Sequence, residues 1–265
     1  MKVVLFCGGL GMRLRDHSQN APKPLAMIGN RPLLWHLMTY YAHFGHKDFI
    51  LCLGYRGDAI KEYFLNYDET VSNDFLLRQG GRDIELQNSD IDDWTIRFVD
   101  TGLHSNIGMR LKAVQSYLEG EEMFLANYAD GLCDLDLHSY IEDFELGGKL
   151  ASFISVPPHS SFHMVETESD GTVSKLRAMA DADIRVNGGF FVFRNKIFDY
   201  INEGEELVIE PFSRLAADRQ LVAHRHDGFW ECMDTFKDKQ LLEDLAEHND
   251  MPWQVWKHPK RSGPA

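Results

Sequence analysis

Short apolar runs alternate with longer segments of helical period along most of this chain. The strand-like runs are Lys2–Phe6, Phe49–Leu53, Thr95–Val99, Met123–Asn127, Ala151–Val156, Met164–Thr167, Val173–Leu176, Val186–Phe193 and Leu221–His226. Helical period covers Pro32–Phe44, Asp58–Asn66, Ile107–Leu118, Ser139–Leu146, Ile209–Asp218 and Lys237–His248. Such alternation predicts an α/β sandwich. Pro32 suits a first helical turn and Gly45 a left-handed helix stop. Segment 68–93 is polar and acidic, which predicts a hairpin or lid. Lys257–Ala265 reads as a basic tail after a domain spanning 1–256.

Composition narrows the function classes. A chain of 265 residues is long enough for one large α/β domain. Its net charge of −14 disfavours a broad nucleic-acid or anionic-membrane surface, because both need clustered Lys and Arg. A nucleotide or sugar phosphate still binds through a few local cations and a metal ion. Cys7, Cys52, Cys133 and Cys232 are widely spaced, which fits reduced thiols and a cytoplasmic protein. The opening apolar run is too short for a signal peptide, and no run approaches membrane-spanning length.

The densest chemistry follows the first strand, in Cys7-Gly8-Gly9-Leu10-Gly11-Met12-Arg13-Leu14. Without side chains, Gly8, Gly9 and Gly11 let backbone N–H groups approach an anion closely. Arg13 adds a planar fork of donors, and Lys23, stiffened between Pro22 and Pro24, adds a point charge. Together they read as a triphosphate grip. A dinucleotide fingerprint is excluded by Leu14, where a third glycine is required, and no Gly-Lys-Ser/Thr closes a Walker loop. A plain strand-to-helix turn is the competing reading of the glycines alone.

Two carboxylates stand out further along. Asp130 follows an apolar strand and precedes Gly131, where α/β sheets place ligands. Asp234 ends Trp230-Glu231-Cys232-Met233-Asp234. Paired carboxylates with substrate phosphates suit Mg²⁺. Helix capping is the alternative: Asp134 or Asp136 for the helix after 137, and Asp234 for the helix after 235. The turn Gly54-Tyr55-Arg56-Gly57 faces a base or phosphate, or is an ordinary turn. Arg110 and Lys112 read by default as a solvated helix face. His224 and His226 read as surface residues, lacking a third ligand for zinc. Trp253 and Trp256 read as a packing staple.

In order and spacing these motifs resemble the sugar-1-phosphate nucleotidyltransferases, in particular the bacterial glucose-1-phosphate cytidylyltransferases. The resemblance also rests on Trp35-His36, Val99-Asp100-Thr101-Gly102, Asn187-Gly188-Gly189-Phe190-Phe191, Glu210-Pro211 and Gly228-Phe229-Trp230, and covers nearly the whole chain. It implies a single three-layer α/β/α domain, Rossmann-like, with a mostly parallel mixed sheet and small hairpin insertions. It implies a homo-oligomer, often a hexamer, and attack of an acceptor phosphate on the α-phosphorus of CTP. By the same resemblance Gly8, Gly9, Gly11, Gly54, Tyr55 and Arg110 bind the nucleotide. Arg13 neutralises pyrophosphate, Lys23 contacts the α-phosphate, and Asp130 and Asp234 hold Mg²⁺. The acceptor falls to Asn187, Gly188 and Glu210.

The acceptor side departs from the family pattern. Ala178-Met179-Ala180 replaces Glu-Lys-Pro, whose lysine contacts the sugar phosphate, and His163 follows Phe162 where glycine is usual. Ala21 and Ala129 also differ. A missing ammonium opposite a phosphate calls for a replacement, with Lys175, Arg177, Arg185 and His163 as candidates. Three readings follow: CDP-glucose synthesis, the same transfer to another phosphorylated acceptor, or a catalytically silent nucleotide-binding relative.

Overall fold

The structure, a computed structural model, describes residues 1–9, 21–158, 163–179 and 183–257. In chain order the elements begin with β1 (Lys2–Phe6), the paired β2 (Met27–Ile28) and β3 (Arg31–Pro32), then α1 (Leu33–His43), β4 (Asp48–Leu53) and α2 (Gly57–Leu65). The hairpin β5 (Phe75–Arg78) and β6 (Asp83–Leu86) precedes β7 (Thr95–Asp100), α3 (Ile107–Ala113), β8 (Met123–Tyr128), β9 (Gly131–Cys133) and α4 (Leu137–Gly147). Next come β10 (Ala151–Val156), the hairpin β11 (His163–Thr167) and β12 (Val173–Ala178), then β13 (Val186–Asn187) and β14 (Phe191–Arg194). The chain closes with α5 (Glu210–Ala217), β15 (Leu221–Arg225), β16 (Trp230–Cys232) and α6 (Phe236–Glu247).

The central sheet runs β10–β14–β8–β1–β4–β7, with β13 and β15 also paired to β10. Strands β8, β1, β4 and β7 are mutually parallel, and β15 is parallel to β10. The line formed by β13 and β14 runs against its neighbours. Each buried strand feeds two cores. In β1, Val3 and Leu5 pack with α1, α4 and Trp253, while Val4 and Phe6 pack with α3 and α5. Strands covered on both faces read as continuous apolar runs, which is why the sequence pattern found them. The result is a three-layer sandwich around a mostly parallel mixed sheet.

Three expectations are corrected. Val186–Phe193 is not one strand: Gly189 (φ +75°) and Phe190 (φ +50°) adopt left-handed backbone, breaking it into β13 and β14. The kink is held by Asn127, whose Oδ1 accepts from the Phe190 N–H at 2.9 Å. Pro32 lies before α1 in extended backbone rather than inside it. The helical period of Ile107–Leu118 divides into α3 and a 3₁₀ turn over Gln115–Leu118. Gly45 takes the expected left-handed conformation, with φ +83°. Segment 68–93 carries the expected hairpin. It is moored by the buried Arg31 guanidinium, which donates to Asp68 O at 2.7 Å and stacks on the Tyr67 ring.

Candidate active site

β1 is flanked by β4 on one side and β8 on the other, so the chain leaving its C-terminal end passes over the point where the strand order reverses. Gly8 and Gly9 lie there. Gly9 is exposed with open space beside it. Gly11 and Arg13 fall outside the described residues. The support beneath is Arg110, only 3% exposed. Its guanidinium donates to Gly8 O at 2.7 Å, Leu53 O at 3.0 Å and Thr101 Oγ1 at 2.7 Å, tying together the ends of β1, β4 and β7. A Cβ on Gly8 would fall 2.1 Å from Arg110 Nη1, so any larger residue there would displace that fork. This corrects the expectation of a solvated face: α3 turns Gly108, Arg110 and Leu111 inward. Lys112 likewise reaches a carbonyl, Ile201 O, at 3.2 Å. In the adjacent turn the Gly57 N–H donates to Gly54 O, and Arg56, left-handed at φ +53°, pairs with Asp58.

Lys23 opens a 3₁₀ turn set by its flanking prolines. Its ammonium donates to Asp130 Oδ2 at 2.7 Å and to Asp234 Oδ1 at 2.6 Å. Burial pulls the Lys23 pKa down, but the Asp130 carboxylate and hydrogen bonds to both aspartates outweigh it, and the net shift is upward. The two aspartates meet through β9 and β16, which pair antiparallel with Gly131 opposite Cys232. A backbone bond from Met233 N to Asp130 O closes that ladder at 2.9 Å. The capping alternative fails for Asp234. Thr235 caps α6, with Asp238 completing the capping box. Asp136 does cap α4, accepting from Ser139 N.

Beside these carboxylates opens a cavity of about 310 Å³. Asn127, Tyr128, Asn187, Gly188 and Trp230 line it, with Asp130, Cys232 and Asp234 along one wall. Trp230 Nε1 donates to Gly188 O at 2.9 Å, and a Cβ on Gly188 would meet Ile154 at 2.9 Å and the indole at 3.1 Å. That close approach explains the glycine. The Asp130, Cys232 and Asp234 donor atoms lie within 4.8 Å of one another, a set that fits a divalent cation.

The other acceptor candidates are placed elsewhere. Arg185 spends its guanidinium on Ser155 O at 2.5 Å, His226 O at 2.6 Å and Asp227 at 2.7 Å. Arg177 pairs with Glu166 across the β11–β12 hairpin, where His163 and Lys175 are also exposed. Glu210 accepts from the Glu206 N–H at the start of α5. Among the described residues, the cavity lining holds no arginine or histidine. Ala178 and Met179 are half-buried, while Ala180 and Phe162 lie outside the described residues. His226 is buried against Asp134 and Phe229 O, correcting its surface assignment. Trp253 is the core staple expected of it.

Sequence reasoning passed over Asn127, Tyr128, Trp230 and Cys232 as site residues. The signal for two of them was present: Trp230 and Cys232 stand two apart in β16, so they share one face of that strand.

Comparison with known proteins shows the family and the fold. A family model described as nucleotidyl transferase matches residues 2–243. Glucose-1-phosphate cytidylyltransferase of Salmonella typhi is 39% identical over 258 residues, covering 97% of this chain and all of that protein. A probable glucose-1-phosphate cytidylyltransferase of Bacillus subtilis is 36% identical at the same coverage. Among solved structures, UDP-glucose pyrophosphorylase in complex with UDP-glucose superimposes with a TM-score of 0.68 at 14% identity, covering 94% of this chain and 98% of that one. HddC of Yersinia pseudotuberculosis gives 0.64 at 19% identity, covering 92% and 98%. The two structures share the fold.

Proposed function

The chain belongs to the nucleotidyl transferase family, and we propose that it transfers the cytidylyl group of CTP to α-D-glucose 1-phosphate. An oxygen of the acceptor phosphate forms a bond to the α-phosphorus while the bond to the bridging oxygen breaks, giving CDP-glucose and pyrophosphate. The observation that carries this reading is the meeting of Lys23, Asp130 and Asp234 at the C-terminal edge of the sheet, beside a cavity of sugar-phosphate size.

The proposed division of labour combines the resemblance with the contacts described above. Gly8 and Gly9, with Gly11 and Arg13 beyond them, take the triphosphate, and Arg110 keeps the Gly8 backbone in register from below. Gly54 and Tyr55 face the base. Lys23, whose pKa is raised, remains a cation at working pH and meets the charge that builds on the α-phosphate. Asn187, Gly188 and Trp230 shape the acceptor pocket. Asp130 and Asp234 are the residues that would hold Mg²⁺, which when bound neutralises phosphate charge. Such catalysis is mostly positioning and charge stabilisation, with no covalent enzyme intermediate.

A second reading keeps the cytidylyl transfer and changes the acceptor. Its support is that the cavity wall holds no arginine among the described residues, together with Ala178 and Met179 where a lysine-bearing turn is expected. We further infer a cytoplasmic homo-oligomer, hexameric by resemblance, whose CDP-sugar product feeds polysaccharide synthesis. No described helix is long and apolar enough to cross a membrane. Pyrophosphate release measured with each NTP and a panel of phosphorylated acceptors tests all of this. Release with CTP and glucose 1-phosphate, with CDP-glucose identified by mass, is the expected result. Release with CTP and another acceptor selects the second reading. Nucleotide binding without release under any pairing would leave only a catalytically silent relative.

A further inference from the structure

Two consecutive residues in left-handed backbone stand at one wall of the cavity, and only the first is glycine. Gly189 has φ +75° and Phe190 φ +50°, a conformation that costs free energy for a bulky side chain and persists only where its surroundings enforce it. Asn187 and Gly188, just before this break, line the cavity. Groups outside the loop hold it in place. The buried Phe190 ring packs edge-on to Tyr40 at 5.6 Å and is stacked with Tyr41 at 6.0 Å. Ile154 O accepts from the Gly188 N–H at 2.9 Å, and the Ile154 N–H donates to Gly189 O at 3.0 Å. The Phe190 N–H itself donates to Asn127 Oδ1, and a Cβ on Gly189 would fall 2.5 Å from that same oxygen. Asn127 is 1% exposed.

A buried amide is costly unless its bonds are used. Leucine has nearly the shape of asparagine and would suit the surrounding core, but it cannot accept the Phe190 N–H. Without that acceptor the N–H is left unpaired, and the chain gains by relaxing toward the extended backbone on either side. Relaxation turns the Gly188 carbonyl, to which Trp230 Nε1 donates at 2.9 Å, so Asn187, Gly188 and the indole shift together. We propose that Asn127 is a positioning residue for the acceptor: its Oδ1 holds the Gly189–Phe190 break, and the break sets where Asn187, Gly188 and Trp230 meet the bound molecule. The contact joins β8 to β14, on the side of β1 away from β4 and β7, so its loss falls on the acceptor rather than on the triphosphate turn. The inference rests on the proposed assignment of Asn187 and Gly188 to the acceptor.

Steady-state kinetics of full-chain variants test this, together with hydrogen exchange of the Trp230 indole N–H, followed by ¹⁵N NMR and assigned with Trp230→Phe. Asn127→Leu should raise the KM for glucose 1-phosphate, or for whichever acceptor the release assay selects, by roughly tenfold or more, because a wall that must be rebuilt at each binding lowers affinity in proportion. The KM for CTP should stay unchanged, and the indole N–H should exchange faster. Asn127→Asp keeps an acceptor oxygen and should recover both readouts. Gly189→Ala sets a Cβ against Asn127 Oδ1, should shift both readouts as Asn127→Leu does, and replaces that variant if it fails to fold. Phe124→Leu, in the opposite core, should lower the melting temperature without moving either KM. The proposal is overturned by an unchanged acceptor KM or exchange rate in Asn127→Leu, by equal rises for both substrates, by no recovery in Asn127→Asp, or by the same shift in Phe124→Leu. If the unaltered protein transfers nothing, the proposed function fails, and the exchange measurement alone decides whether Asn127 holds the wall.

Discussion

Arg110 and Arg185 do the same job on opposite halves of the sheet, with very different backing. Arg110 is 3% exposed and binds the ends of three parallel strands from inside the core. Arg185, with a side chain 17% exposed, binds the end of β10 and the loop after β15 and shares Asp227 with Arg225. One half of the cleft is built by the core, and the other by surface segments. Under the proposed assignment, the nucleotide side is held rigidly and the acceptor side can change at little cost in stability.

Lys23, between the halves, sets the scale for variants. Lys23→Ala should raise the transfer barrier by about 3–4 kcal/mol, the value of one preorganised donor, and slow turnover roughly 10²–10³-fold. Pyrophosphate release alongside a thermal melt checks it. A near-normal rate would remove the central cation from the mechanism.

Loss of the core clamp should come next. Arg110→Ala leaves Gly8 O without its donor, while Leu53 O keeps its bonds from the Thr101 N–H and hydroxyl, and should lower stability by about 1–3 kcal/mol, the cost of one buried group left unpaired. Gly8→Ala should act in the same direction by pushing the guanidinium aside. Urea unfolding measures both. Equal stability in Arg110→Ala would mean that the core half is no more rigid than the surface half.

Acid probes the layer behind the core half. His36, on α1, is 2% exposed, and its ring lies between Ile28 O at 3.0 Å and Trp253 Nε1 at 3.3 Å. Burial lowers its pKa from 6.5 to about 4. The neutral ring is the folded form, so its contribution is complete above pH 6.5 and is lost as pH falls toward 4. At pH 5 the loss should be about 2 kcal/mol. Unfolding free energies at pH 7 and 5 show it, and His36→Gln should flatten the difference.

The smallest effect belongs to the surface half. Arg185→Ala should cost about 1 kcal/mol of stability, as for a partly exposed hydrogen-bonded group. It should raise the acceptor KM and leave the KM for CTP unchanged. A change confined to CTP would reverse the assignment of the two halves.

How much was legible depended on how far each residue's role reached beyond its own segment. Strands β1, β4, β8 and β10 were plain because burial on both faces makes them apolar almost throughout. The break at Gly189 and Phe190 was hidden, since it is held by Asn127 from another strand. Lys23, Asp130 and Asp234 announced themselves by residue type and by flanking prolines or strand ends. Arg110 did not, because helix spacing alone leaves open which way a charged side chain on a short helix turns. Arg185 looked available for a phosphate only until its carbonyl partners came into view.

By itself the sequence determined the order of strands and helices, the glycine turn after the first strand and the kinds of groups offered to a phosphate. These depend on local backbone preference and apolar period, which are written in consecutive residues. Only the tertiary structure decided which groups meet: the β9–β16 register joins Asp130, Cys232 and Asp234 around Lys23, and the packing of α3 sends Arg110 beneath the turn. Long-range pairing decides such meetings, since each group finds its partner across residues that carry no local trace of it.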